Sequence, residues 1–164
     1  MSDSFAGGSS SNKQESKPNQ EKEPRQVGRA TLDGLTILLI EDTSDALVLH
    51  SQLLLRAGAN ILQASSVSEA WKVLANARPD VIVSDIAMPD EDGICFVKQL
   101  REKTGTDLRL SEIPAIALTA FTDRVVRSVS LKAGFQDYLC KPVSYTELVQ
   151  AVLRLVDPSG TTFH

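Results

Sequence analysis

The chain of 164 residues carries 17 Lys and Arg against 21 Asp and Glu, a formal charge of −4, with 42% hydrophobic and 23% charged residues. That balance is globular and gives no general reason to expect nucleic-acid or membrane binding, and the two cysteines, Cys95 and Cys140, cannot build a disulfide framework. No apolar run approaches the roughly 18 residues of a membrane span, and no apolar signal core opens the chain, so a cytoplasmic, reducing setting is expected.

Residues 1–33 hold Gly7, Gly8, the run Ser9 to Ser11, Pro18 and Pro24, and few large apolar side chains. Such a stretch buries too little surface to offset its ordering entropy, so a flexible tail is expected there. A folded domain is expected over 34–157, followed by a short C-terminal tail over 158–164. Leu35 to Ile40 reads as a buried strand, and Ala46 to Ala57 as a helix stopped by Gly58. Asn60 to Gln63 fits a short strand and Val67 to Ala77 a helix, with Trp71 packing that helix onto the sheet. The strand Val81 to Ser84 leads to a helix from Gly93 to Lys103. Ile113 to Leu118 is a fourth strand, interrupted by Pro114 near its start. A polar helix then spans Asp123 to Lys132, ended by Gly134, and Gln136 to Leu139 is a fifth strand. Ser144 and Glu147 make a capping box for a last helix reaching Val156.

Five strands alternating with five helices predict a parallel sheet covered on both faces, with every carboxyl end along one edge. Ligand sites in open sheets of this kind lie at that edge. There the sequence delivers Glu41 and Asp42 after the first strand, Asp85 after the third, Thr119 at the end of the fourth and Lys141 after the fifth. Three carboxylates in one cleft need a cation or must take up protons. Lys141 supplies one positive charge. A hard divalent ion with oxygen ligands, Mg²⁺ with Mn²⁺ as a substitute, resolves the remainder. Such a cluster suits a phosphoryl group, and a carboxylate in its centre can attack phosphorus. Asp85, on the central strand, is best placed for that.

The runs Leu38 to Asp42, Asp80 to Gly93, Ile113 to Ala120 and Ala133 to Pro142 together resemble the receiver domain of two-component response regulators, in pattern most like the receivers of hybrid sensor kinases. The resemblance implies a flavodoxin-like (βα)5 fold with strand order 2-1-3-4-5. It implies Asp85 as phosphoacceptor and Asp42 as a direct metal ligand, with Glu41 acting through water. The backbone carbonyl of Ala87 completes the metal shell. Thr119 is the switch hydroxyl, Lys141 the phosphate-binding lysine, and Tyr138 the aromatic switch residue. A cis peptide bond is implied between Lys141 and Pro142.

The implied function is a regulatory domain and not an enzyme that turns over. A histidine kinase or phosphotransfer protein donates the phosphoryl group, and the output is a downstream protein or a parent hybrid kinase. No nucleic acid or membrane is bound directly, and the domain is a monomer or a phosphorylation-dependent dimer. The cleft edge and the first helix, around Ala46, Leu49 and Leu53, are the implied kinase contacts. Only a few residues follow the last helix, so no DNA-binding effector is expected in this chain. A phosphohydrolase would need a second acid just after Asp85, where Ile86, Ala87 and Met88 stand instead. His50 is read as a surface or boundary residue, and Cys95 and Cys140 as packing residues.

Overall fold

The computed structural model describes residues 31–103 and 108–157. The tail expected over 1–33 lies outside them except for its last three residues, and the tail over 158–164 lies outside them entirely. Five strands, β1 (Thr36–Ile40), β2 (Asn60–Ala64), β3 (Val81–Ser84), β4 (Ala115–Thr119) and β5 (Asp137–Cys140), form one parallel sheet in the order β2-β1-β3-β4-β5. Among the described residues the helices are α1 (Ser44–Arg56), α2 (Val67–Asn76), α3 (Gly93–Glu102), the single turn α4 (Leu108–Ser111), α5 (Arg124–Ala133) and α6 (Tyr145–Val156).

The continuous apolar strands sort by their period of two. Ile37, Leu39, Val81, Val83, Ile116 and Leu118 face α1 and α6, where they pack with Leu54, Leu148, Val149 and Val152. Leu38, Ile40, Ile82, Ala115 and Ala117 face the opposite way, onto Ala70 and Leu74 of α2 and Phe96, Val97 and Leu100 of α3. Trp71 meets Phe96 edge-on at 5.0 Å between ring centroids, so it ties α2 to α3 as well as to the sheet. Lys103 lies 4.3 Å from the centre of the indole.

Chain punctuation follows the sequence. Gly58 turns with φ of 98° just past α1, a conformation that favours glycine. Ser144 and Glu147 close the capping box of α6. Leu32, placed by sequence in the tail, is fully buried, and its N–H donates to the Ala57 carbonyl at 2.8 Å. Leu32 therefore packs with the strands and helices that follow it.

The turn α4 was not legible in the sequence, and β4 begins at Ala115 rather than Ile113. Pro114 has no N–H to give a sheet ladder, and the chain before it is held instead by Arg101 near the end of α3. Its guanidinium donates to the carbonyls of Ser111, Ile113 and Gly134 and to the side-chain amide oxygen of Gln136. One planar fork thus gathers the chain before β4 and the end of α5.

Three smaller expectations change. His50 is 3% exposed, not at the surface, and its Nδ1 has no hydrogen-bond partner. Helical position alone did not reveal that this part of α1 faces inward. Cys95 and Cys140 are exposed rather than packed. No helix among the described residues is long and apolar enough to cross a membrane.

Candidate functional site

The carboxyl edge gathers the residues named from sequence because the strands are in parallel register there. Ile40 pairs with Ser84, Ser84 with Ala117, and Thr119 with Cys140. The next residues carry the ladder slightly further. The N–H of Glu41 donates to the Ala64 carbonyl, that of Asp85 to Ile40, and that of Lys141 to Thr119, at 3.0, 2.9 and 2.7 Å. Glu41 and Asp85 therefore leave the neighbouring strands β1 and β3, and Lys141 leaves β5 one strand further along, beyond β4, at the same edge.

Lys141 Nζ lies 2.5 Å from Glu41 Oε2 and 3.1 Å from Asp85 Oδ2. Glu41, Asp42 and Asp85 each offer a carboxylate oxygen, and these oxygens lie within 4.8 Å of one another. Glu41 is 1% and Asp85 7% exposed, whereas Asp42 is more open. Burial pushes the Glu41 carboxyl above its ordinary range, against the hydrogen bond from Lys141 and with help from the Asp85 charge. For Lys141, burial alone would depress the ammonium. The hydrogen bond to Glu41 and the charges of Asp85 and Glu41 outweigh it, and the pKa is raised. The lysine is thus charged and faces a surplus of negative charge.

An all-oxygen donor set with this surplus fits a hard divalent cation, Mg²⁺ or Mn²⁺, better than a soft metal, which prefers sulfur or imidazole. No histidine or cysteine takes part in the cluster.

Asp85 is held at several atoms. Its Oδ1 accepts from the Ala87 N–H at 3.2 Å while its Oδ2 receives Lys141. The loop closes where the Gly93 N–H donates to the Ile86 carbonyl at 2.9 Å. A Cβ on Gly93 would stand 2.2 Å from the Asp85 carbonyl oxygen, so only glycine fits the start of α3. Asp92 caps that helix through the Cys95 N–H at 2.7 Å.

Thr119 is fully buried, and its hydroxyl accepts from the Phe121 N–H at 3.2 Å. Tyr138 is 5% exposed, and its hydroxyl donates to the Phe121 carbonyl at 2.6 Å. Thr119 and Tyr138 thus grip the two ends of one residue in the loop after β4. The Lys141–Pro142 peptide bond is cis. A cavity of about 540 Å³ lies beside Tyr138, lined also by Thr122, Arg124, Arg127, Ser128, Leu131 and Cys140; the acidic cluster is not part of it.

Sequence reasoning named the acids, Thr119, Tyr138 and Lys141; it noted Phe121 only as an apolar side chain where some receivers carry a polar one, and gave no role to its backbone or to Gly93. Gly93 had one legible signal, its position directly after Asp92 at a helix start. Phe121 acts through its backbone, which leaves no trace in side-chain chemistry.

The sequence matches the family described as "Response regulator receiver domain" over residues 37–153. Among curated proteins it is similar to "Hybrid signal transduction histidine kinase D" of Dictyostelium discoideum, 32% identical over 149 residues. That alignment takes in 88% of this chain and 10% of the relative. An uncharacterised 14.6 kDa protein of Leptolyngbya boryana is 37% identical over 122 residues, covering 74% of this chain and 90% of the relative. The chain also spans about half the length of several transcriptional regulatory proteins it resembles. Among solved structures, the receiver domain of sensor histidine kinase PA1611 from Pseudomonas aeruginosa PAO1 superposes with a TM-score of 0.67 at 28% identity, covering 75% of this chain and 98% of that one; it holds a magnesium ion in its active site cleft.

Proposed function

The chain belongs to the response regulator receiver domain family, and on that premise we propose that it is a phosphorylation-controlled switch with Asp85 as the acceptor. The observation that carries this reading is the bridge from Lys141 to both Glu41 and Asp85, which draws three strand ends onto one acidic centre.

Each residue has a task in that reading. An Asp85 oxygen attacks the phosphorus of a phosphohistidine donor; the bond from phosphorus to the imidazole nitrogen breaks, and the nitrogen keeps the electron pair. Lys141 then turns from bridging two carboxylates to pairing with the new phosphoryl oxygens. Thr119 supplies a hydroxyl from the neighbouring strand end. Asp42, Asp85 and the Ala87 carbonyl, with Glu41 through water, would hold a divalent ion, which would supply positive charge against the transferring oxygens. The donor is a histidine kinase or a phosphotransfer protein, the kind of partner this family has.

The switch follows from the shared loop. Thr119 holds the Phe121 N–H and Tyr138 holds the Phe121 carbonyl, so drawing Thr119 toward a phosphoryl group moves the loop that Tyr138 is bound to. The Tyr138 ring is already inward, so the proposed change is a bias between two loop and ring arrangements rather than a movement made only after modification. The readout surface is α5 and the adjoining loop, where Phe121, Val125 and Val129 are exposed. A downstream protein or a parent kinase reads it.

The test is intact-mass measurement after incubation with acetyl phosphate and Mg²⁺. One added phosphoryl group, absent in Asp85→Asn, is the expected result. No adduct with acetyl phosphate or with a phosphohistidine donor protein defeats the reading.

A further inference from the structure

β3 is apolar for three residues, Val81 to Val83, and then places a hydroxyl, Ser84, at zero exposure. Its register partners are Ile40 and Ala117, both fully buried and apolar. A larger aliphatic side chain would continue the pattern of the strand and bury more surface. A hydroxyl in such surroundings is costly unless it is bonded.

It is bonded, and to one particular atom. Ser84 Oγ donates to the carbonyl oxygen of Asp85 at 2.9 Å. That carbonyl stands where the sheet ladder ends. The Asp85 N–H still donates to Ile40, but no backbone N–H among the described residues donates to the Asp85 carbonyl. The same oxygen lies so close to Gly93 that a Cβ there would be 2.2 Å away. The peptide unit joining Asp85 to Ile86 is thus bonded by a side chain on the strand it leaves and lies close against Gly93 at the start of α3.

That peptide unit governs the carboxylate. Rotating it shifts Ile86 and Ala87, and the Ala87 N–H holds Asp85 Oδ1. Oδ2 is held independently by Lys141. Freeing the carbonyl therefore loosens one carboxylate oxygen and leaves the other gripped, which turns the carboxylate rather than displacing it. In-line attack on phosphorus is sensitive to such a turn.

We propose that the Ser84 hydroxyl is a positioning group for phosphoryl transfer to Asp85, acting through the Asp85 carbonyl and the Ala87 N–H. This rests on the reading of Asp85 as acceptor. Ser84 neither gives nor takes a proton in the reaction and touches no reacting atom.

The experiment compares wild type with Ser84→Ala, Ser84→Thr and Ser84→Cys. Initial rates of phosphorylation are followed against acetyl phosphate concentration at saturating Mg²⁺, with melting temperatures and Mg²⁺ affinities measured alongside. Ser84→Ala is expected to lower the maximal rate about tenfold, with the donor concentration for half-maximal rate and the Mg²⁺ affinity changed by less than about twofold. Threonine, which keeps the hydroxyl, restores the rate, and cysteine, a weaker donor, falls between. In the metal-free protein, Ser84→Ala speeds amide exchange at Ala87 while the Asp85 N–H keeps its protection. A wild-type maximal rate in Ser84→Ala overturns the proposal. So does equal slowing in the alanine and threonine variants in step with their melting temperatures. If the alanine protein does not fold, the cysteine variant decides: a lower rate with unchanged Ala87 exchange overturns the proposal, and a lower rate with faster exchange supports it. A wild-type protein that takes up no phosphoryl group removes the acceptor assignment itself, a failure distinct from equal rates in wild type and variant.

Discussion

Replacing Lys141 by methionine keeps most of the side-chain length and removes its charge. In the wild type, that charge stands between Glu41, 1% exposed, and Asp85, and both carboxylates touch it. Without it, two unit negative charges at 4.8 Å or less repel by about 3.5 kcal/mol at an effective dielectric near 20. The protein can escape by protonating Glu41. Keeping that carboxyl neutral at pH 7 costs about 3.7 kcal/mol from a reference glutamate pKa near 4.3. The two routes cost about the same, so Lys141→Met should destabilise the metal-free fold by about 3 kcal/mol at neutral pH, in the range for breaking a buried ion pair.

The pH dependence fixes the mechanism. Glu41 already has a raised pKa in the folded wild type, and losing Lys141 raises it further. A carboxyl whose native pKa is raised contributes stability below its unfolded pKa, and this is lost as pH rises through the native value. The difference between wild type and variant should therefore be small near pH 4 and grow as pH rises to 7.5. Urea unfolding at both pH values measures it, and Mg²⁺ should shrink the difference at pH 7.5 because it replaces the missing positive charge. A difference that is the same at both pH values, or below about 1 kcal/mol at pH 7.5, refutes the charge argument.

Asp42→Ala should weaken Mg²⁺ binding by at least about tenfold, since it removes one of few protein oxygens from the shell; isothermal titration reads this, and unchanged affinity would remove Asp42 from the site. Arg101→Ala should cost about 3 kcal/mol in urea unfolding, because the carbonyls of Ser111, Ile113 and Gly134 lose the bonds it donates, while the Gln136 amide oxygen keeps the Ala115 N–H. Arg101→Lys should recover only part of that, since an ammonium cannot reach the same spread of acceptors. Tyr138→Phe should cost about 1 kcal/mol by losing the bond to the Phe121 carbonyl, and should leave the yield of phosphorylated Asp85 unchanged. A fall in that yield would place Tyr138 in the chemistry rather than in the response to it.

Legibility differed by residue for physical reasons. Ser144 and Glu147 were read correctly because a capping box is local: both partners lie within one helical turn. The acids were legible because buried apolar strands make the next polar residue conspicuous. Arg101 was not, because its acceptors are 10 to 35 residues away in sequence and four of its five bonds go to carbonyls, which every residue carries. His50 was misread because helical spacing did not show that α1 turns this side chain inward.

Local pattern along the chain was enough to read the alternation of strands and helices, the sheet with both faces covered, and the carboxyl edge as the place where Glu41, Asp42, Asp85, Thr119 and Lys141 gather. Periodicity and strand ends are local properties, and the rules for parallel sheets carry them into space. The folded arrangement was needed to see which carboxylates share Lys141, that Thr119 and Tyr138 hold the same residue, and that the Ser84 hydroxyl bonds the carbonyl of Asp85. Those are contacts of a few ångströms between separate elements or with the backbone, and they exist only once the strands are in register.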